Sequence, residues 1–252
     1  MLVGAGDIAD CSSGAAITAS LLDSIPGTVV ALGDNDYVNG ERAYECYHAT
    51  WGRHKARTRP TPGNHEYETP GAAAYFAYFG ATAGPTGLGY YTFTLGDWLV
   101  VSLNSNVSAG SDSAQGKWLK QTLAASQARC TVAIWHHPRF SSGKNGQNSH
   151  MQDLWRMLYE AGAEVVLSGH DHHYERFAPL DDYGEPDEKR GVRQFIAGTG
   201  GAPLREAMGF AAHSESRISE FGVLKLTLGR DSYSWDFIST SGPRDSGSAS
   251  CH

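Results

Sequence analysis

The chain has 252 residues, 40% of them apolar and 19% charged, an ordinary composition for a globular protein of one α/β domain or two small ones. Its formal net charge of −7 argues against a general nucleic-acid binder, which carries a basic face. No run is long and apolar enough to span a bilayer, so neither nucleic acid nor membrane is an expected partner.

Short apolar β-type runs alternate with helical patterns from the first residue onward. "MLVGAG" reads as a strand, and the chain opens on it without a leader peptide, as a processed mature chain does. A helix is predicted from about Ala15, with Ile17, Leu21 and Ile25 on one face at helical spacing. "TVVAL" is a second strand ending in "GDND", and "ERAYECYHATW" is helical. A Pro/Gly loop, "RPTPGNHE", precedes the short apolar helix "AAAYFAYFG". "YYTFTL" and "WLVVSL" about the turn "GD" form a β-hairpin. "SAQGKWLKQTLAAS" is a helix capped by Ser111 or Asp112. The strand "TVAIW", the helix "HMQDLWRMLYEAG" ending at Gly162, and the strand "EVVLS" come next. "VRQFIAG" and the hairpin "FGVLKLTL–GRD–SYSWDFIS" complete the pattern. The stretches 180–190 and 241–252 are polar and read as a loop and a tail. The early β-α-β-α order and the later antiparallel hairpins are both satisfied by two packed sheets with helices outside.

Four cysteines are present, none in a C-x-x-C pair, so a zinc knuckle is not expected. An even count, with Cys251 in a polar terminal stretch, points to disulfides. Cys11 and Cys46 both follow strand-end loops, which favours Cys11–Cys46 and Cys130–Cys251 among the three possible pairings. Disulfides would put the protein in a secreted, periplasmic or extracellular setting; four free thiols in a cytosolic protein are the alternative. The domain reading is 1–240 as one unit, with 241–252 as a tail tied down by Cys251.

One pattern recurs. An apolar strand, or a Pro/Gly loop, ends in a short turn that presents a metal-capable residue. "LVGAGD" delivers Asp7, "VVALGD" Asp34, "RPTPGNHE" Asn64 and His65, "TVAIWHHP" His136, and "EVVLSGH" His170. Functional groups gather at the carboxyl ends of strands in α/β sheets, and glycine lets the turn bend tightly there. Any one such turn is commonplace, but five in order supply carboxylate, amide oxygen and imidazole. That mixture suits zinc, iron or manganese, and two metals sharing one carboxylate is the natural arrangement.

These motifs identify a family. "GD" at Asp7, "GDNDY" at 33–37, "GNHE" at 63–66, "HHP" at 136–138 and "GHDHHYER" at 169–176 resemble the calcineurin-like metallophosphoesterases. Tyr37, three residues after Asp34, and the string "GHDHHYER" are similar to the purple acid phosphatases within that group. The resemblance runs over about residues 3–200. It implies a four-layer α/β/β/α sandwich of two mixed β-sheets flanked by helices. It further implies that Asp34 bridges two metals. Asp7, Tyr37 and His172 complete a site for iron(III), and Asn64, His136 and His170 complete a second site for iron(II), zinc or manganese. His65 would contact phosphate or protonate the leaving oxygen, and His150 lies where the family keeps a substrate-facing histidine. The general pattern has Asp-x-His at the first motif, whereas Ala9 stands at the third place here, so the first site lacks a ligand unless Tyr37, otherwise a packing tyrosine, replaces it.

The implied activity is hydrolysis of phosphate monoesters by a metal-bound hydroxide, with no serine or cysteine nucleophile. Phosphodiesterase or phytase-type activity on the same centre is the runner-up, and a non-catalytic metal- or phosphate-binding protein the third reading. The partner would be a small phosphorylated substrate, contacted by Asn64, His65, His150 and Arg139, the last being equally able to face solvent. "AGTGGAP" lacks the Lys-Ser/Thr of a P-loop and reads as close backbone packing. His137 and His173 read as supporting or packing residues, Asp171 as facing away, and Glu175 with Arg176 as a structural pair. His48, His54, His213 and His252 fit no metal pattern.

Overall fold

The computed structural model describes residues 1–206 and 209–252. The chain lays down β1 (Leu2–Ala5), α1 (Gly14–Asp23), β2 (Thr28–Leu32), α2 (Glu45–Ala49) and β3 (Thr58–Thr61). After α3 (Ala73–Phe79) come the hairpin of β4 (Tyr91–Leu95) and β5 (Trp98–Ser102), then α4 (Ala114–Ala125) and β6 (Cys130–Ile134). Next are α5 (Gln152–Glu160), β7 (Val165–Ser168), β8 (Tyr174–Leu180) and β9 (Val192–Ala197). The last strands are β10 (Ser214–Ile218), β11 (Gly222–Leu228), β12 (Ser232–Ser239) and β13 (Gly242–Ser250).

Six strands form one sheet, in the order β13-β12-β11-β1-β2-β3, and seven form the other, in the order β10-β8-β9-β7-β6-β5-β4. Both are mixed. The parallel runs are β1-β2-β3 in the first and β5-β6-β7-β9 in the second. The sheets face each other over Leu2, Val30, Leu32, Val132, Ile134 and Leu167, among others. Alternate residues of the same strands, such as Val3, Ala5, Val29 and Ala31, pack outward against α1, α2 and α3. On the far side, Val101, Ala133 and Val166 pack against Leu119 of α4 and Leu154 and Leu158 of α5. Strands buried on both faces read as continuous apolar runs, as "TVVAL" and "EVVLS" do. The layers are therefore α/β/β/α, as expected.

The two sheets are stitched where their parallel strands end. Gly6 N–H donates to Ala197 O at 2.8 Å and Gly200 N–H to Gly6 O at 2.9 Å. This is the role of "AGTGGAP": a Cβ on Gly198 would lie 2.1 Å from Asp171 O, and one on Gly14 2.3 Å from Gly201 O. Backbones approach there as only glycine allows.

Both favoured disulfides are present, Cys11–Cys46 and Cys130–Cys251. Several local expectations are corrected. The face of α1 that packs is Ala15, Thr18, Ala19 and Leu22, whereas Ile17 is 41% exposed. Small residues face inward because the helix lies directly on the Gly200–Gly201 backbone, with the Thr18 hydroxyl donating to Gly200 O. Ser113, not Ser111 or Asp112, caps α4, accepting from Gly116 N–H at 2.9 Å. "ERAYECYHATW" breaks into a 3₁₀ turn, the short α2 and a second 3₁₀ segment from Trp51 to Arg57. The start of "RPTPGNHE" belongs to β3, where Pro60 is tolerated because β3 is an edge strand. Residues 242–250, expected to be a tail, are β13, paired along β12. Its Ser/Gly-rich sequence has little β-propensity, and it is held as an edge by pairing, by Cys251 and by Asp245. Asp245 accepts from Tyr174 O–H at 2.6 Å, Arg176 Nε at 2.8 Å and Trp235 Nε1 at 3.2 Å.

Candidate metal centre

The carboxyl ends of β1, β2, β3, β6 and β7 meet at one edge of the sandwich, and the turns that follow them converge. Asp7, Asp34 and His170 each adopt a left-handed backbone, with φ of 58°, 47° and 70°. Non-glycine residues rarely do so, and such strain collects at functional sites. It turns each side chain back over the strand ends. Gly33 (φ +83°) must be glycine on two counts, because a Cβ there would also lie 2.5 Å from His136 Nδ1. A Cβ on Gly63 would lie 2.1 Å from Asp34 Oδ1.

Two donor clusters result. In the first, Tyr37 O–H donates to Asp7 Oδ1 at 3.2 Å, His172 Nε2 is 3.2 Å from the same phenol oxygen, and His172 Nε2 is 3.3 Å from Asp7 Oδ1. In the second, His136 Nε2 lies 3.2 Å from each of Asn64 Oδ1, His170 Nδ1 and Asp34 Oδ2. Donor atoms about 2.1 Å from a cation are roughly 3.0–3.4 Å apart in octahedral or tetrahedral geometry, so both sets match cation coordination. The tautomers agree. His136 Nδ1 donates to Leu32 O and His172 Nδ1 to Pro203 O, each at 2.8 Å. Their Nε2 atoms are thereby turned toward the carboxylate, amide, phenol and imidazole groups of each cluster, the orientation of metal-ligating histidines. The residues present therefore fit two metal ions.

Electrostatics follow from this crowding. Burial would raise Asp34, but His136 and His65 beside it hold its carboxyl down at about 2. Burial would lower His136, yet Asp34 keeps its imidazolium up at about 9 without a cation. Burial, then the charge of His136, push His170 down to about 4. Burial opposes protonation of His172 as well, but the hydrogen bond and charge of Asp7 raise it overall. Tyr37 is driven well above the ordinary phenol range by burial and by the carboxylates of Asp7 and Asp34.

His65 sits at the mouth of the site. Its N–H donates to Asp34 Oδ1 at 2.9 Å, its ring lies 4.3 Å from that of Tyr37, and Nδ1 pairs with Glu68 Oε1 at 2.9 Å. His150 is exposed and its Nε2 hooks Val107 O at 2.8 Å, with no hydrogen bond to the seven candidate ligands. Arg139 is not brought to the site. Its guanidinium lies over the Phe140 ring at 4.6 Å and donates to Gln152, because the turn after Pro138 directs it toward α5. Glu175 and Arg176 do not pair with each other, since neighbours on β8 face opposite ways. Glu175 meets His173 Nε2 at 3.1 Å, and Arg176 meets Asp245 and Glu215. Asp171 is buried and holds the 141–145 loop through the Ser141 hydroxyl and Asn145 N–H. The close group formed by Glu164, Cys130 and Cys251 cannot take a metal, as both sulfurs are in the disulfide.

Glu66 is the residue that sequence reasoning missed. Its carboxylate is buried and accepts the N–H of Asp34 (3.0 Å), Asn35 (2.8 Å), Asp36 (3.4 Å) and Gly63 (2.5 Å), plus the hydroxyl of Tyr44 (3.3 Å). It clamps the Asp34 turn to the Asn64 turn. Burial and the Asp34 charge push it up to about 7, against the pull of those N–H groups. Its only sequence signal was its place at the end of "GNHE".

Fold and site define a class: an α/β/β/α sandwich that collects metal-capable donors where its two sheets are stitched together. The family model of the calcineurin-like phosphoesterases matches residues 3–174. Purple acid phosphatase 21 of Arabidopsis thaliana is 30% identical over 233 residues, covering 78% of this chain and 52% of that protein. Among solved structures, purple acid phosphatase PPD1 from yellow lupin (Lupinus luteus) seeds superposes with a TM-score of 0.82 over 99% of this chain and 53% of its own, at 18% identity. GAP50, the anchor in the inner membrane complex of Plasmodium, superposes with a TM-score of 0.76 at 15% identity over 100% of this chain and 88% of its own. The last two show the fold alone. The chain belongs to the calcineurin-like phosphoesterase family. It spans about half the length of the curated relatives it matches first.

Proposed function

We propose that the protein hydrolyses phosphate monoesters at a two-metal centre. Asp7, Tyr37 and His172 would hold one cation, Asn64, His136 and His170 the second, and Asp34 would bridge them. The observation that carries this reading is the pair of donor clusters with 3.2–3.3 Å spacings, each containing one histidine whose Nδ1 is tied to a backbone carbonyl so that Nε2 faces the cluster. The phenol of Tyr37 favours iron(III) in the first position, with iron(II), zinc or manganese in the second. When bound, such a pair neutralises phosphoryl oxygens and acidifies a water for in-line attack.

The side chains divide the remaining work. Asn64 offers an amide at the rim for a phosphoryl oxygen. His65 rests on the Tyr37 ring, and Glu68 accepts from its Nδ1, which aims Nε2 inward, where a leaving oxygen needs a proton. Small phosphorylated substrates suit the polar mouth. Two disulfides, together with the absence of any membrane-length apolar helix among the described residues, support an oxidising, secreted or periplasmic setting.

The test combines elemental analysis, a visible spectrum and hydrolysis of p-nitrophenyl phosphate beside a diester analogue. Expected are iron plus a second metal, a visible phenolate band, and faster turnover of the monoester. Asp34→Asn should abolish turnover; full activity in that variant refutes the assignment. A colourless protein holding only zinc or manganese overturns the role of Tyr37, and a faster diester overturns the monoester preference.

A further inference from the structure

A third imidazole stands at the second cation position. His136, His137 and His170 each offer a ring nitrogen, and the three lie within 4.8 Å of one another. The His137 ring centroid is 4.3 Å from that of His170 and 4.9 Å from that of His136. Adjacent residues in a strand point to opposite faces, so two neighbours seldom reach one point. Here β6 has ended at Ile134 and the backbone bends at His136 and His137. Pro138 further limits the conformation of His137.

The surroundings of His137 resemble those of His136 and His172, with a serine hydroxyl in place of a carbonyl at Nδ1. Its Nδ1 is 2.8 Å from Ser105 Oγ, as the Nδ1 atoms of His136 and His172 are held by carbonyls. Ser105 Oγ also accepts the His137 N–H at 3.1 Å, and Trp135 Nε1 donates to His137 O at 2.8 Å. Ser105 and Trp135 thus hold the backbone and ring, and Nε2 takes no hydrogen bond among the described residues. A hydrogen bond on one imidazole nitrogen that orients the other toward a cation is the usual support of a metal-ligating histidine.

We propose that His137 is a ligand of the second cation, joining His136 and His170 in a three-histidine set that selects zinc over manganese at that position. This rests on the two-metal reading above. Tetrahedral zinc with bonds of about 2.05 Å places its nitrogens roughly 3.3 Å apart. The His136 Nε2–His170 Nδ1 separation of 3.2 Å already meets this, and a ring nitrogen of His137 lies within 4.8 Å of a ring nitrogen on each of the other two. An imidazole is a better zinc donor than the amide oxygen of Asn64, whereas manganese favours oxygen. His137 would therefore compete with Asn64 as a ligand and shift the preference of the site.

The experiment uses the full chain stripped of metal and reloaded with zinc, manganese or cobalt(II). In His137→Ala, zinc affinity should fall by about 100-fold or more, beyond what losing a supporting contact costs, and manganese affinity much less. The cobalt(II) visible spectrum should change in shape, as the inner ligand set has changed. An unaltered cobalt spectrum in a folded His137→Ala overturns the proposal. Nitrogen NMR of the wild-type protein gives a readout that needs no variant. Zinc should move the His137 Nε2 resonance together with one nitrogen each of His136 and His170. If His136 and His170 shift while His137 does not, this inference fails and the two-metal reading survives. If none of the three shifts, both fail.

Discussion

Replacing Glu66 by glutamine should loosen the site from behind without touching a candidate ligand. Oε2 accepts from Asp34 and Gly63, while Oε1 accepts from Asn35, Asp36 and Tyr44. Glutamine keeps one acceptor oxygen and sets an NH₂ group against at least two main-chain donors. Hydrogen bonds to a charged group contribute about 1.5–3 kcal/mol each, and a buried donor left alone costs about 1–3 kcal/mol. Loss of the two bonds on Oε2 alone should thus cost about 3–5 kcal/mol, a large share of a typical total of roughly 5–15 kcal/mol. At about 2–4 °C per kcal/mol for a chain of this size, the melting point should drop by roughly 10 °C. Calorimetry of the metal-free protein measures this directly, and metal affinity should fall in parallel as the Asp34 and Asn64 turns separate. A shift below about 2 °C would refute the reasoning. It would mean that the charge of Glu66 contributes little to holding the two turns together.

Three further outcomes are expected. Removing Cys130–Cys251, with a sequence separation of 121, should cost about 5 kcal/mol by loop closure, and removing Cys11–Cys46, with a separation of 35, about 4 kcal/mol; denaturant melts of the two double-serine variants check the order. In metal-free protein, His136 is raised from 6.5 to about 9, so its stabilising pair with Asp34 is complete below pH 6.5 and lost as pH rises through about 9. Asp34, lowered from 3.8 to about 2, contributes above pH 3.8 and loses its share as pH falls through about 2. Stability against pH for wild type and His136→Gln should diverge most between these limits, and parallel curves would contradict the pairing. Gly63→Ala would set a methyl 2.1 Å from Asp34 Oδ1, so elemental analysis should find less metal bound to the folded variant than to wild type.

Much of this molecule is written in short stretches of its sequence. The alternation and length of apolar runs located β1, β2, β5, β6, β7 and β9. Gly-Asp, Gly-Asn-His, His-His-Pro and Gly-His turns after them named Asp7, Asp34, Asn64, His136 and His170, because turn chemistry acts within a few residues. Tyr37 came from the resemblance of its place, three residues after Asp34, to the purple acid phosphatases, with which Ala9 agreed. Cysteine placement favoured the two disulfides found. Against this, the Ser/Gly-rich run 242–250 carries no local strand signal and is a strand only because β12, Cys130 and Arg176 hold it there. The inward face of α1 was set by the Gly200–Gly201 backbone far along the chain. Arg139 and His150 were claimed by Gln152 and Val107, contacts with no signature in their own segments. Glu66 could as well have been a surface carboxylate; only the meeting of two turns around it made it a clamp. The sequence by itself determined which residue types stand at strand ends, since that depends on nearest neighbours and backbone sterics. Which donor atoms face one another, and whether His137 joins them, was decided only by the tertiary packing, because those distances join residues from about 30 to more than 130 positions apart.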